Sequence, residues 1–232
     1  MSMLKNKKVI SILLALLVTF LWSTSFIIIK IGLAEIPPII YAALRYSIAF
    51  LFLLPLVFQK KHIEQIKNLK KSDWLELVAL GVVFYSLTQG TQFLGLSLLP
   101  AVLVSLVLNF TPLFVAGFGF TFLNEKPTKL QWIGIIFFVV GVCVYFLPIE
   151  ISSKEILGIG VMILGTIFNS ISAVLGRTIN KRGHISPVLV TVISMGIGSF
   201  LMLIFGFSFF SINSISFTNL LFLIWLAVVN TA

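Results

Sequence analysis

The sequence predicts an all-α integral membrane protein: a multi-pass helical bundle of two inverted five-helix repeats, the second incomplete. Three observations carry this expectation. Apolar runs of spanning length are separated by short links, basic residues concentrate in alternate links, and a polar pattern near residue 19 recurs near residue 166.

The apolar runs set the class. Of 232 residues, 59% are hydrophobic and 10% charged, with a mean hydropathy of +1.15. A soluble domain is about 45–50% apolar and about 25% charged. A helix crossing about 30 Å of hydrocarbon needs roughly 20 apolar residues. Runs of that kind lie at about 9–29, 37–58, 74–94, 98–123, 130–149, 156–176 and 187–208, and an eighth begins near Thr218. The first is too long for a signal-peptide core and has no small-residue cleavage site, so it reads as a retained helix.

The charges give an orientation. Lys5, Lys7 and Lys8 precede the first run, and Lys60, Lys61, Lys67, Lys70 and Lys71 follow the second. Lys126 and Lys129 follow the fourth, and Arg177, Lys181 and Arg182 follow the sixth. The opposite links hold only Lys30 and Lys154. Thirteen basic residues against two place the N-terminus in the cytoplasm by the positive-inside rule. The net charge of +9 therefore speaks of membrane topology, and nucleic acid is not an expected partner. The expected partners are the lipid bilayer and a small-molecule substrate.

Helix starts agree with the runs. Asp73 with Glu76, Thr128 with Gln131, and Ser152 with Glu155 have capping-box spacing, and Ser186-Pro187 reads as an N-cap before a first-turn proline. Glu76 and Glu155 are thus expected as interfacial caps. His62 and His184, in cytoplasmic links, are expected to be solvated.

The repeat comes from LLVTFLWSTSFIIIK (16–30) set over ILGTIFNSISAVLGR (163–177). Thr19 falls on Thr166, Ser23 on Ser170, Ser25 on Ser172, Lys30 on Arg177, and Trp22 on Asn169; Pro38 meets Pro187 after a two-residue insertion. The two starts lie an odd number of spans apart, so the halves would be inverted. That arrangement places a substrate site near mid-membrane between the halves.

Polar residues inside apolar runs are the site candidates. Trp22, Ser23 and Ser25 are expected to face a cavity, with Asn169 and Ser170 opposite them in the second half. Lys30 reaches the outer interface, where it snorkels or gates, and Arg177 is its counterpart. Arg45, roughly 12 Å into the second run, snorkels outward, pairs with Glu35 or helix-end carbonyls, or meets an anionic substrate. Tyr85, Gln89 and Gln92 share one helical face, read as cavity lining. Asn109 lies one turn before Pro112, where a broken helix would offer carbonyls. The single cysteine, Cys143, has no metal-ligand spacing around it, and no Ser-His-Asp or paired-carboxylate set can be assembled. Neither catalytic nor metal residues nor cofactors are expected.

The segments LWSTSFIIIKIGL, PPIIYAALRYSIAF and PAVLVSLVLNFTPLFVAGFGFTFLNEKPTKLQWIGIIFFVVGVCVYF resemble the EamA-like half-domain of the drug/metabolite transporter superfamily. Pro112, Glu125, Gly134 and Gly141 lie in the most specific stretch. The resemblance implies ten helices in two inverted halves, both termini in the cytoplasm, and export or exchange of small metabolites. Residues 1–149 would form the first half-domain and 150–232 part of the second. The sequence stops inside the eighth run, so about eight of the ten spans are expected.

The expected function is a permease or exporter that moves a small polar metabolite, such as an amino acid, across the cytoplasmic membrane by alternating access. All seven acidic residues lie in links or at span ends, which argues against proton coupling. Two competing expectations are a multidrug efflux permease, suggested by the aromatic content, and a non-transporting scaffold or receptor-like bundle.

Overall fold

The computed structural model describes residues 2–123, 128–146, 152–209 and 215–231. Every element among them is helical: α1 (Ser2–Gly32), α2 (Pro38–Leu53), α3 (Lys60–Lys67), α4 (Lys71–Leu98), α5 (Ala101–Leu108), α6 (Thr111–Leu123), α7 (Lys129–Phe146), α8 (Ser153–Arg182), α9 (Pro187–Phe209) and α10 (Phe217–Val228). Among the described residues, six helical stretches, one of them α5 with α6, are long and apolar enough to cross a membrane, and two shorter apolar helices occupy Leu130–Val142 and Phe217–Val228. The expected positions Glu125, Lys126 and Glu150 fall outside the described residues, as does the side chain of Cys143.

Prolines and caps punctuate these helices. Pro38 occupies the first turn of α2, where its missing N–H is not needed. Pro55 converts the end of that helix into a 3-10 turn, Leu54–Phe58. The Thr128–Gln131 and Ser152–Glu155 capping boxes form, and the Ser186 hydroxyl accepts from Leu189 N–H. Helix α8 ends on Gly183 at φ 68°, a left-handed C-cap that favours glycine.

Helix α4 starts three residues earlier than its sequence suggested. Asp73 is therefore not the N-cap; its carboxylate instead accepts the Lys70 backbone N–H at 2.9 Å. Glu76, displaced from the cap, accepts a bond from Arg182. Of the two histidines, only His62 departs from the solvated expectation; His184 is exposed. His62 is buried with Nδ1 2.7 Å from the Leu56 carbonyl, and His184 Nε2 lies 2.9 Å from Asp73. The 3-10 turn folds α3 back onto the bundle, which covers His62.

The middle of α4, Gly81–Thr88, is π-helical, a wider turn that the apolar pattern did not reveal. The Thr88 hydroxyl donates to the Val83 carbonyl there, at 2.8 Å.

Helix α2 packs along α9, and the π segment of α4 lies between α9 and α8. Helix α8 continues along α5 and α6, while α10 lies against α2 and α1. One core joins Tyr41, Ala42, Tyr46 and Ala49 of α2 to Phe93 and Leu96 of α4, Met195 and Met202 of α9, and Leu223 and Leu226 of α10. A second, of Leu77, Leu80, Ile179, Ile185, Leu189 and Val190, closes the lysine-rich end. Large apolar side chains such as Leu16, Phe20, Leu51, Phe137, Leu164 and Phe200 point outward, as lipid contact requires.

Candidate functional site

Inside this apolar bundle the polar side chains gather in two places. The first is the seam of α2, α4 and the segment after α10. Tyr41 and Arg45, one turn apart, lie on the same buried face of α2. The Arg45 residue is 5% exposed, and its Nε donates to the Thr231 hydroxyl at 2.8 Å. Its guanidinium carbon lies 5.5 Å from the Tyr46 ring centroid and 6.0 Å from that of Phe93. These are cation–π distances, which compensate partly for taking the charge out of water.

Helix α4 supplies the facing wall. Tyr85, Gln89 and Phe93 are buried along it. Tyr85 packs edge-on against Tyr46, and Phe93 edge-on against Tyr41, each pair at 5.5 Å between centroids. Gln89 lies between those contacts along the helix, 8% exposed, and its amide bonds to no described residue. The neighbouring Asn230 donates to the Ser25 hydroxyl at 2.6 Å and to the Leu21 carbonyl at 2.8 Å. Residues 230 and 231 thus tie α1 and α2 together.

The second place is the break between α5 and α6. Pro112 cannot donate to Leu108, whose carbonyl instead accepts the Thr111 hydroxyl at 2.6 Å. Side chains of α8 take other groups there. The Thr166 hydroxyl donates to the Val107 carbonyl, that of Ser170 to the Thr111 carbonyl, and the Asn169 amide to the Thr111 hydroxyl at 3.0 Å.

The structure therefore brings Arg45, Tyr85 and Gln89 to one seam, with Ser25 beside it through Asn230. Asn169 and Ser170 belong to the helix break. Gln92 is half-buried one turn along α4 from Gln89, and Asn109 is exposed at the break. Trp22, 61% exposed, and Ser23 lie on the outer surface of α1, because Ser25 and Ile29 occupy its inward face. Arg177 is exposed on α8. Lys30 donates through Nζ to the carbonyls of Leu96 and, at 2.8 Å, Leu99, so it caps the end of α4.

Tyr41, Tyr46, Phe93, Asn230 and Thr231 were not singled out from sequence. Tyr41 carried a usable signal, since a phenol four residues before a buried arginine shares its face. Thr231 carried none, because its position depends on α10 packing across α2.

An all-helical fold with spanning apolar helices and buried polar seams defines a multi-pass membrane protein. The model of the EamA-like transporter family matches residues 9–147, and the chain belongs to that family. Similar proteins include an uncharacterized transporter of Archaeoglobus fulgidus, 33% identical over 74% of this chain and 59% of its own length. The uncharacterized transporter YvbV of Bacillus subtilis is 28% identical over 90% of this chain and 66% of its own. A probable amino-acid metabolite efflux pump of Escherichia coli is 28% identical over 94% of this chain and 73% of its own. The chain spans less than two thirds of the length of the first two. A solved crystal structure, 14% identical, shares the fold with a TM-score of 0.63 over 91% of this chain and 73% of that one.

Proposed function

We propose that this chain is the greater part of a secondary transporter that moves a small polar metabolite, such as an amino acid, across the cytoplasmic membrane by alternating access. One observation carries the reading. The polar side chains of the interior bridge residues 1–149 to residues 150–232: Ser25 to Asn230, Arg45 to Thr231, Ser86 to Gly198, Leu77 to Ser194, Val107 to Thr166 and Thr111 to Asn169. A substrate site between two repeats needs polar groups on that interface.

The packing supports inverted halves. Helix α1 lies against α10 as α8 lies against α4, and α2 meets its expected counterpart α9. The reading places eight spans here, with α7 and α10 counted among them. It places the N-terminus and the lysine-rich links in the cytoplasm, and Lys30 at the outer surface. The described acidic residues sit at helix ends or in links, which favours facilitated diffusion or exchange over proton antiport.

The test is efflux of the twenty common amino acids, labelled, from cells expressing the chain and from cells expressing it extended to ten helices. Saturable efflux of one or a few of them supports the reading. No flux from either form, with both inserted in the membrane, moves the assignment to a non-transporting bundle. Flux steeply dependent on an imposed pH gradient overturns the uncoupled mechanism.

A further inference from the structure

We infer that Arg45 is the group that recognises a carboxylate on the transported molecule, so the cargo class is a small carboxylate-bearing metabolite; the inference rests on the transporter reading above. Its starting point is an imbalance of charge. Arg45 is 5% exposed within a spanning helix, yet no carboxylate among the described residues pairs with it. Of the described carboxylates, Glu76 pairs with Arg182 and Asp73 with His184, while Glu35 accepts from Ser216. A buried cation without an anion carries a desolvation cost that aromatic faces offset only in part.

The groups beside it are also unfinished. Only Nε of the guanidinium has a partner, Thr231, which leaves the two terminal nitrogens free of described acceptors. The Tyr41 hydroxyl, one turn away on α2 and pressed against Gly32 of α1, is also buried with no partner among the described residues. So is the side-chain oxygen of Asn230, next to Thr231. Buried polar groups are nearly always paired, so the unfinished guanidinium and the Asn230 oxygen beside Thr231 call for a ligand. Their chemistry names it. The guanidinium fork donates, which suits a planar carboxylate. The Asn230 oxygen accepts, as does the Gln89 carbonyl, which suits a nearby ammonium or hydroxyl. The rings of Tyr46 and Phe93 hold the guanidinium in place.

The experiment compares acid with amide. Efflux is measured for each common amino acid that moves and for its carboxamide, which lacks the carboxylate. The unmodified chain should prefer the acid by roughly 10- to 100-fold, the range expected for a charged hydrogen-bond pair. Arg45→Gln should abolish that preference, and Arg45→Lys should keep part of it. Gln89→Glu places a carboxylate on the wall of α4 that faces Arg45, as an internal competitor, and should also abolish acid flux. If Arg45→Gln fails to insert, Gln89→Glu decides alone. Equal flux of acid and amide in the unmodified chain, or a preference that survives Arg45→Gln or Gln89→Glu, overturns the inference and leaves the transporter reading standing. If no amino acid moves in this chain or in its ten-helix extension, with both inserted, the transporter reading falls and the inference falls with it.

Discussion

The Asp73 carboxylate joins two functions through its two oxygens. One lies 2.9 Å from Nε2 of His184 in the α8–α9 turn, and the other accepts the Lys70 backbone N–H at the start of α4. With the Arg182–Glu76 pair and the bond from Ser186 N–H to Gln65, it clasps α3 and α4 to the turn between α8 and α9 at the lysine-rich end.

Asp73→Asn should lower stability by about 1 kcal/mol, mostly by weakening the bond to Lys70 N–H, since loss of a capping interaction costs about 0.5–2 kcal/mol. The His184 contact is partly exposed, so its own share should be at most about 1 kcal/mol. A double-mutant cycle of Asp73→Asn with His184→Gln, read by denaturation in detergent, separates the two. Zero coupling energy would mean that the clasp does not hold in solution.

Lys30→Met should be costlier. The Leu96 and Leu99 carbonyls lie at the end of α4, where helical carbonyls lack backbone donors, and Nζ serves both. Both residues are fully buried, so water does not easily replace the amine. The expected loss is about 1–3 kcal/mol in the same denaturation assay, and Lys30→Arg should recover most of it.

How far each feature could be read from sequence follows from how local its cause is. The capping boxes at Thr128 and Ser152 and the Ser186 cap involve residues three apart, so spacing alone revealed them. The apolar runs revealed the spanning helices for the same reason. Asp73 and His184 are 111 residues apart, and Arg45 and Thr231 are 186 apart. Those pairings depend on which helices become neighbours, which no local pattern encodes. The π segment of α4 escaped because its composition is that of any apolar helix. Arg45 and Gln89 were legible as candidates, since charge and amides inside apolar runs are costly, but their shared seam was not.

Glu35 gives a pH prediction. The Asn219 side chain and the Ser216 backbone N–H bond to its carboxylate and hold its pKa below the ordinary glutamate value. A depressed carboxylate stabilises the fold above its unfolded pKa, and that contribution is lost as pH falls through the folded value. The link between α1 and α2 should therefore loosen from the N-terminus of α10 only below the usual glutamate range. Glu35→Gln should remove this acid-dependent step. An unchanged stability profile below pH ~4.3 in that variant would show that another carboxylate governs it.

A close backbone approach between α4 and α9 supplies a paired prediction. A Cβ added to Gly198 of α9 would collide with the Gly81 carbonyl oxygen and with Cβ of Tyr85, and neither can rotate away. Gly81 is equally confined, since its own Cβ would lie 2.7 Å from the Ser194 carbonyl. Hydrogen bonds cross at the same level, from Ser194 to the Leu77 carbonyl and from Ser86 to the Gly198 carbonyl, both at 3.0 Å. Small residues allow this approach, and a methyl group must push the helices apart. Gly198→Ala should cost about 1–3 kcal/mol, the range for overpacking a close-packed site. Tyr85 leans on Tyr46 beside Arg45, so the displacement should reach the polar seam and reduce flux as well as stability. Gly160→Ala is the control: its Cβ would meet nothing within 4 Å, and alanine favours a helix by about 1 kcal/mol. That variant should hold or raise the thermal midpoint and leave flux unchanged. Equal midpoints for the two variants would rule out the close approach of α4 and α9.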